Sequence, residues 1–225
     1  MNVASKTRRA LVIAGTDTGV GKTVVAAMLT LALHADYWKP VQAGGLEGES
    51  DTETVRKLTG FDDARMLPEA YRLSQPLSPH HAAELDGVSI DPARLQLPKC
   101  KRPLIIEAAG GLLVPLNEQL LFADLIASWQ CPVTLCARTT LGTINHTLLS
   151  LEALRRRNCP VHGIVFIGDD MPDTQRTICA MGGAREFGRL PWLPALTPNS
   201  LTDAFQQNFK LADFLGTAAN DKTAP

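Results

Sequence analysis

With 225 residues, 45% of them apolar, the chain is long enough to bury a sizeable core, and it is read as a single domain over 1–216 with a frayed tail at 217–225. Its 22 basic and 23 acidic residues nearly cancel, so no global field directs it to nucleic acid or to an anionic membrane, and no segment has the length of a membrane span. Five cysteines (Cys100, Cys131, Cys136, Cys159 and Cys179) lack C-x-x-C spacing, which argues against a disulfide framework or a zinc site and fits a reducing cytoplasm.

Lys6, Arg8 and Arg9 precede an apolar run, Ala10–Ala14, that is only a strand long and therefore too short for a cleaved signal. The run reads as a buried strand, and Val24–Ala35 reads as a helix. Between them lies Gly15-Thr16-Asp17-Thr18-Gly19-Val20-Gly21-Lys22-Thr23. A strand, a glycine-rich turn and a helix form a phosphate cradle: backbone N–H groups and the positive helix end face the anion, Lys22 reaches the outer phosphates, and the Thr23 hydroxyl can ligate magnesium. The usual pattern has a glycine five positions before Gly21, where Thr16 stands, with Gly15 one step earlier.

Tyr37–Val41 reads as a second strand, stopped by Pro40, Gly44 and Gly45. Lys39 at its end is either a second cation near the phosphates or a surface lysine on a turn. Glu47–Ser50 reads as an acidic loop, and Ser50-Asp51-Thr52-Glu53 reads as a capped helix start, in which Asp51 either caps the helix or meets a metal. Residues 61–80 show no period and contain Pro68, Pro76 and Pro79, so they read as a long loop. Ser78-Pro79-His80-His81 opens a short helix through Leu85; the adjacent histidines lack a further ligand at metal spacing.

Pro103–Ile106 is a third apolar strand running into Glu107-Ala108-Ala109-Gly110-Gly111, and a carboxylate at that point needs a cation beside it. A loop, Leu112–Leu116, and a helix, Phe122–Trp129, follow. Cys131–Ala137 is a fourth strand leading to a helix with Leu148, Leu149, Leu151 and Leu154 on one face; its start, Thr139–His146, is a second candidate anion site or an ordinary cap. Arg155–Arg157 reads as a solvated helix end. A fifth strand, Val161–Ile167, ends in Gly168-Asp169-Asp170. Then come a helix near Asp173–Met181, a short strand Phe187–Leu190, a turn at Pro191–Pro194 and a last helix, Leu201–Phe214. This alternation predicts an α/β fold of the doubly wound P-loop type, a mainly parallel sheet with helices on both faces.

Taken together, Gly15–Thr23, Lys39–Gln42, Glu107–Gly111 with Val114–Leu116, Leu141–His146 and Leu190–Trp192 resemble the dethiobiotin synthetase family, in the family's order and across nearly the whole chain. The resemblance implies a homodimeric cyclo-ligase of biotin synthesis that joins carbon dioxide or bicarbonate to 7,8-diaminononanoate, driven by ATP with Mg2+. It implies that Lys22, Lys39 and Thr18 serve the phosphoryl transfer and that Thr23, Asp51 and Glu107 supply oxygens to the magnesium. Gly19, Val20, Gly21, Lys22, Thr23, Gly168, Asp169, Pro191 and Trp192 would hold the nucleotide. Lys39, Ala43, Pro79, Gly142, Thr143, Ile144 and Asn145 would hold the substrate, the last four across the dimer interface.

The chain departs from the family at three positions. Ala43 stands where Ser or Thr is usual, and Ala108 where Gly is usual. Gly168 replaces the Asn whose side chain reads adenine, so backbone groups around Gly168 and Pro191, and the space left by the missing side chain, are expected to accept CTP or other triphosphates as well. Two other readings compete. A partition or division-site ATPase would carry a lysine where Asp17 stands and often a basic membrane helix, and a small-molecule kinase would release a stable phosphorylated product.

Overall fold

The computed structural model describes residues 10–45 and 49–215. Lys6, Arg8, Arg9, Glu47 and the expected tail lie outside them. Seven parallel strands form the central sheet: β1 (Ala10–Gly15), β2 (Asp36–Trp38), β4 (Met66–Leu67), β6 (Leu104–Glu107), β7 (Val133–Arg138), β8 (Val161–Ile167) and β9 (Glu186–Leu190), in the order β4-β2-β6-β1-β7-β8-β9. β3 (Val41–Ala43) and β5 (Tyr71–Leu73) pair in a separate parallel ribbon.

Because parallel strands need crossovers, both faces of the sheet are covered, and the apolar strand residues divide between two clusters by the two-residue alternation of a strand. Val12, Ala14, Trp38, Ile106 and Leu135 point to one face, packed with α3 (Pro79–Leu85), α4 (Phe122–Trp129) and α5 (Thr143–Arg155). α6 (Pro172–Gly182) adds Ile178 to that side. Leu11, Ile13, Tyr37, Ile105 and Cys136 point to the other, against α1 (Lys22–Ala32), α2 (Asp51–Thr59), α7 (Pro198–Asn208) and α8 (Leu211–Leu215).

Three expected elements differ. The second strand breaks after Trp38, because Pro40 has no N–H for the ladder, and Val41–Ala43 pairs with β5 instead. Residues 61–80 hold β4, β5 and a 3-10 turn at Asp63–Arg65; elements of two or three residues are too short to show a period. The last helix is two: Thr197 caps α7, and Phe209 is extended, which lets Phe205, Phe209 and Phe214 pack together.

No helix among the described residues is long and apolar enough to cross a membrane.

Candidate active site

β1 lies at the middle of the sheet and delivers Gly15–Gly21 to its carboxyl edge, where ligands of open parallel sheets bind. The loop folds back so closely that a Cβ on Gly15 would fall 2.8 Å from Val20 Cγ2 and 2.9 Å from Lys22 Cδ. That close approach accounts for the glycine at 15. Gly21 caps α1 with φ 102° and no side chain satisfies the first N–H groups of the helix, which leaves them to an anion.

Lys22 is buried, and its ammonium donates to Asp17 O at 2.8 Å. Burial, then the neighbouring Lys39 charge, hold its pKa below the ordinary lysine value. Thr23, one turn-step on, donates within reach of two carboxylates, 3.0 Å to Asp51 Oδ1 and 2.8 Å to Glu107 Oε1. Asp51 is the first residue of α2, and Ser50 closes a capping box with Glu53 before it, so Asp51 is free of the capping role left open for it. Its backbone N–H is held by Gln42 Oε1 at 3.2 Å, a contact from β3 that sequence reasoning did not single out.

Lys39 is 3% exposed, which overturns the surface-lysine alternative. Its ammonium lies 2.7 Å from Asp51 Oδ2 and 3.0 Å from Glu107 Oε1, and donates to Ala108 O at 3.1 Å. Burial alone would lower its pKa, but the Glu107 and Asp51 carboxylates more than offset this and leave it above the ordinary value. Conversely, burial would raise the Asp51 pKa, but Lys39 holds it below the ordinary aspartate value. The remaining oxygen of Glu107, Oε2, accepts from the Tyr37 hydroxyl at 2.7 Å. Tyr37 carried no predicted role; the signal was its register, opposite Ile105 and therefore on the same face as Glu107. Cys136 is fully buried in this layer, and burial pushes its thiol pKa up to about 12.

Thr18 is exposed beside Gly110, so the Glu107–Gly111 segment borders the phosphate loop. A cleft of about 400 Å³ opens there, lined by Thr16–Thr18, Gly111–Val114, His146, Leu149 and Ser150. Ala43 ends β3, and Pro79 starts α3, which packs on β3 and β5; the two thus lie on one side unit next to Lys39. Gly142, Thr143, Ile144 and Asn145 form the start of α5, with no side-chain cap and with Leu141 and Asn145 exposed.

Around Gly168, expected to lie at the nucleotide base, the structure corrects one expectation and narrows another. Gly168 has φ 122°, and a Cβ there would lie 2.8 Å from Thr139 Oγ1, so the missing side chain leaves no space. Its N–H is already committed, donating to Leu190 O at 3.0 Å, and its carbonyl accepts from Arg189 Nη1 at 2.8 Å. Asp169 is exposed, Pro191 half-buried, and the Trp192 indole is 64% exposed beside Gly168.

A lysine and a threonine at the head of the helix after β1, facing an acidic strand end, define a P-loop enzyme of the nucleoside-triphosphate class. The AAA-domain family matches residues 9–200. Proteins named ATP-dependent dethiobiotin synthetase from Agrobacterium fabrum and Rhodopseudomonas palustris are 64% and 56% identical, over 92% and 93% of this chain and 98% of theirs. The chain belongs to the dethiobiotin synthetase family. In fold it is similar to a ParA family ATPase from Chlorobium tepidum (TM-score 0.54, 11% identity, 91% of this chain and 92% of that one). It is likewise similar to the cell division ATPase MinD of Pyrococcus furiosus (TM-score 0.52, 13% identity, 89% and 99%).

Proposed function

We propose that this chain is a dethiobiotin synthetase that uses ATP and magnesium to convert 7,8-diaminononanoate and carbon dioxide to dethiobiotin, ADP and phosphate in the cytoplasm. The observation that carries the reading is the convergence of Thr23, Lys39, Asp51 and Glu107 in one hydrogen-bonded network at the head of α1, with the buried Lys22 ammonium close beside it. The first reacting group is a carbamate, formed when one amine of the substrate takes up carbon dioxide. It is anionic and weakly nucleophilic, so bringing it to a polyanionic triphosphate is mainly a matter of position and charge neutralisation.

Lys22, now held by the Asp17 carbonyl, would turn to the outer phosphates, and Lys39 would bridge the carbamate and the γ-phosphate. A carbamate oxygen then attacks the γ-phosphorus and ADP leaves. The second amine attacks the carbonyl carbon of the resulting carbamic-phosphoric anhydride, expelling phosphate, losing its proton and closing the cyclic urea. Water competes with that amine, so the cleft walls must exclude it.

The donors fit magnesium, a hard ion that is bound by one or two carboxylates together with phosphate oxygens. Two carboxylates and a hydroxyl converge here, and no group of three or more His, Cys, Asp or Glu suited to a metal exists among the described residues. When bound, the ion would neutralise charge on the β- and γ-phosphates; Thr23, Asp51 and Glu107 would hold it. Thr18 and Gly19–Gly21 would line the phosphates, with Gly168, Asp169, Pro191 and Trp192 at the base.

The substrate end is read as shared between two copies. The uncapped start of α5 offers N–H groups to the far carboxylate, and exposed Leu113, Leu141 and Leu149 lie around it and the cleft, as an interface would require. Ala43 and Pro79 would border the diamine near Lys39. The likeness to the partition and division ATPases is one of fold, and Asp17 stands where their lysine would. Mass spectrometry of the product from diamine, bicarbonate, magnesium and ATP tests the reading: a cyclic urea supports it, and a phosphorylated diamine contradicts it.

A further inference from the structure

The Tyr37 phenol is buried completely, and among the described residues its hydroxyl has a single hydrogen-bond partner, Glu107 Oε2, at 2.7 Å. β2 and β6 are parallel neighbours with Tyr37 opposite Ile105, so the strand alternation puts Tyr37 and Glu107 on the α1 face of the sheet. Lys39, two residues after Tyr37, reaches the other oxygen of the same carboxylate, as does Thr23. The two oxygens of Glu107 thus have separate tasks: Oε2 is anchored inward by a phenol, and Oε1 faces Thr23, Lys39 and the phosphate loop.

We infer that Tyr37 is a positioning residue that fixes the rotation of the Glu107 carboxylate, so that Oε1 alone is presented as a metal ligand. Rotation of a free carboxylate would let it offer either oxygen, or both, and magnesium demands near-ideal octahedral geometry. The partner that orients a ligating carboxylate typically matters by about 10–100-fold in metal affinity or activity. Tyr37→Phe removes the donor while keeping the ring that fills the layer against α1.

The inference rests on the reading of Glu107 as a magnesium ligand, and the experiment separates the two. Calorimetric binding of a non-hydrolysable ATP analogue would be measured across magnesium concentrations for the wild type, Tyr37→Phe and Glu107→Gln. The expected result is a roughly 10-fold or greater rise in the magnesium concentration for half-maximal effect in both variants, with metal-free analogue binding unchanged in Tyr37→Phe. A shift in Glu107→Gln but none in Tyr37→Phe overturns the role of Tyr37 alone. No shift in either overturns the metal reading and the inference with it. A readout without substitution at 37 guards against a variant that does not fold. The chain has 2 tyrosines, so with Tyr71→Phe the ring-labelled Tyr37 gives one Cζ resonance. That resonance should move on adding magnesium with the analogue and hold still with the analogue alone. An unmoved resonance in both cases contradicts the inference.

Discussion

Lys39 Nζ lies 2.7 Å from Asp51 Oδ2, tying the end of β2 to the first residue of α2 across the head of the phosphate loop. The contact brings together two groups proposed for different partners, a cation for the γ-phosphate and a carboxylate for the metal. It also makes Lys39 structural before any ligand arrives.

Lys39→Ala and Lys22→Ala should each lower turnover by roughly 10²–10³ or more, the scale for losing one preorganised charge-stabilising group. They should differ in stability. Lys39 neutralises Glu107 and Asp51, and removing one partner of a buried ion pair costs about 3–5 kcal/mol. Lys22 is held by a carbonyl, so its loss strands no charge. Urea unfolding and steady-state rates on both variants check this; equal stability of the two would count against the pairing.

The pH dependence of stability follows from the Asp51 pKa, which lies below the ordinary aspartate value. The charged pairing contributes in full above the unfolded-state value and is lost as pH falls through the lower folded-state value. Asp51→Asn keeps an acceptor for Thr23 but not the charge. The stability gap between wild type and Asp51→Asn, followed by urea unfolding, should therefore be constant from pH 5 to 8 at roughly its neutral value and close below about pH 4. A gap that widens in acid would reverse the assignment.

Gly168 carries the prediction about the base. One bidentate amide contact separates bases by about 1–3 kcal/mol in nucleic-acid readout. Lacking it, the enzyme should discriminate weakly at the base and use other triphosphates comparably with ATP, as read by kcat/KM for four triphosphates. A preference for ATP of more than about a hundredfold would show that another group reads adenine. Gly168→Asn should not restore an adenine reader. It should destabilise the fold by about 1–3 kcal/mol, the scale for a strained backbone, because φ is 122° and Thr139 fills the Cβ position.

If the substrate site spans two copies, mixing Lys22→Ala and Asn145→Ala chains should regain activity, because some mixed dimers then hold one site with both side chains intact. Activity no greater than the sum of the separate variants would count against a shared site.

Much of this was legible in the sequence because the chemistry is carried by local order. A strand, Gly15–Gly21 and a helix start occur contiguously, and Glu107 closes an apolar run, so their positions follow from alternation alone. Tyr37 and Gln42 were not legible, since each acts through a register or ribbon pairing that joins segments distant in the chain. The state of Gly168 escaped for a related reason: whether an absent side chain leaves room depends on Thr139, which arrives from the neighbouring strand end. Pro40 stops a strand, but what the next residues pair with is settled by β5, too short to be seen beforehand.

In the proposed reaction the phosphoryl group passes to a carbamate of the diamine and not to water. Phosphate release from ATP and magnesium, followed with bicarbonate present and the diamine either supplied or withheld, tests it most directly. Release should depend on the diamine and match the cyclic urea formed; comparable release without diamine would contradict a carbamate acceptor.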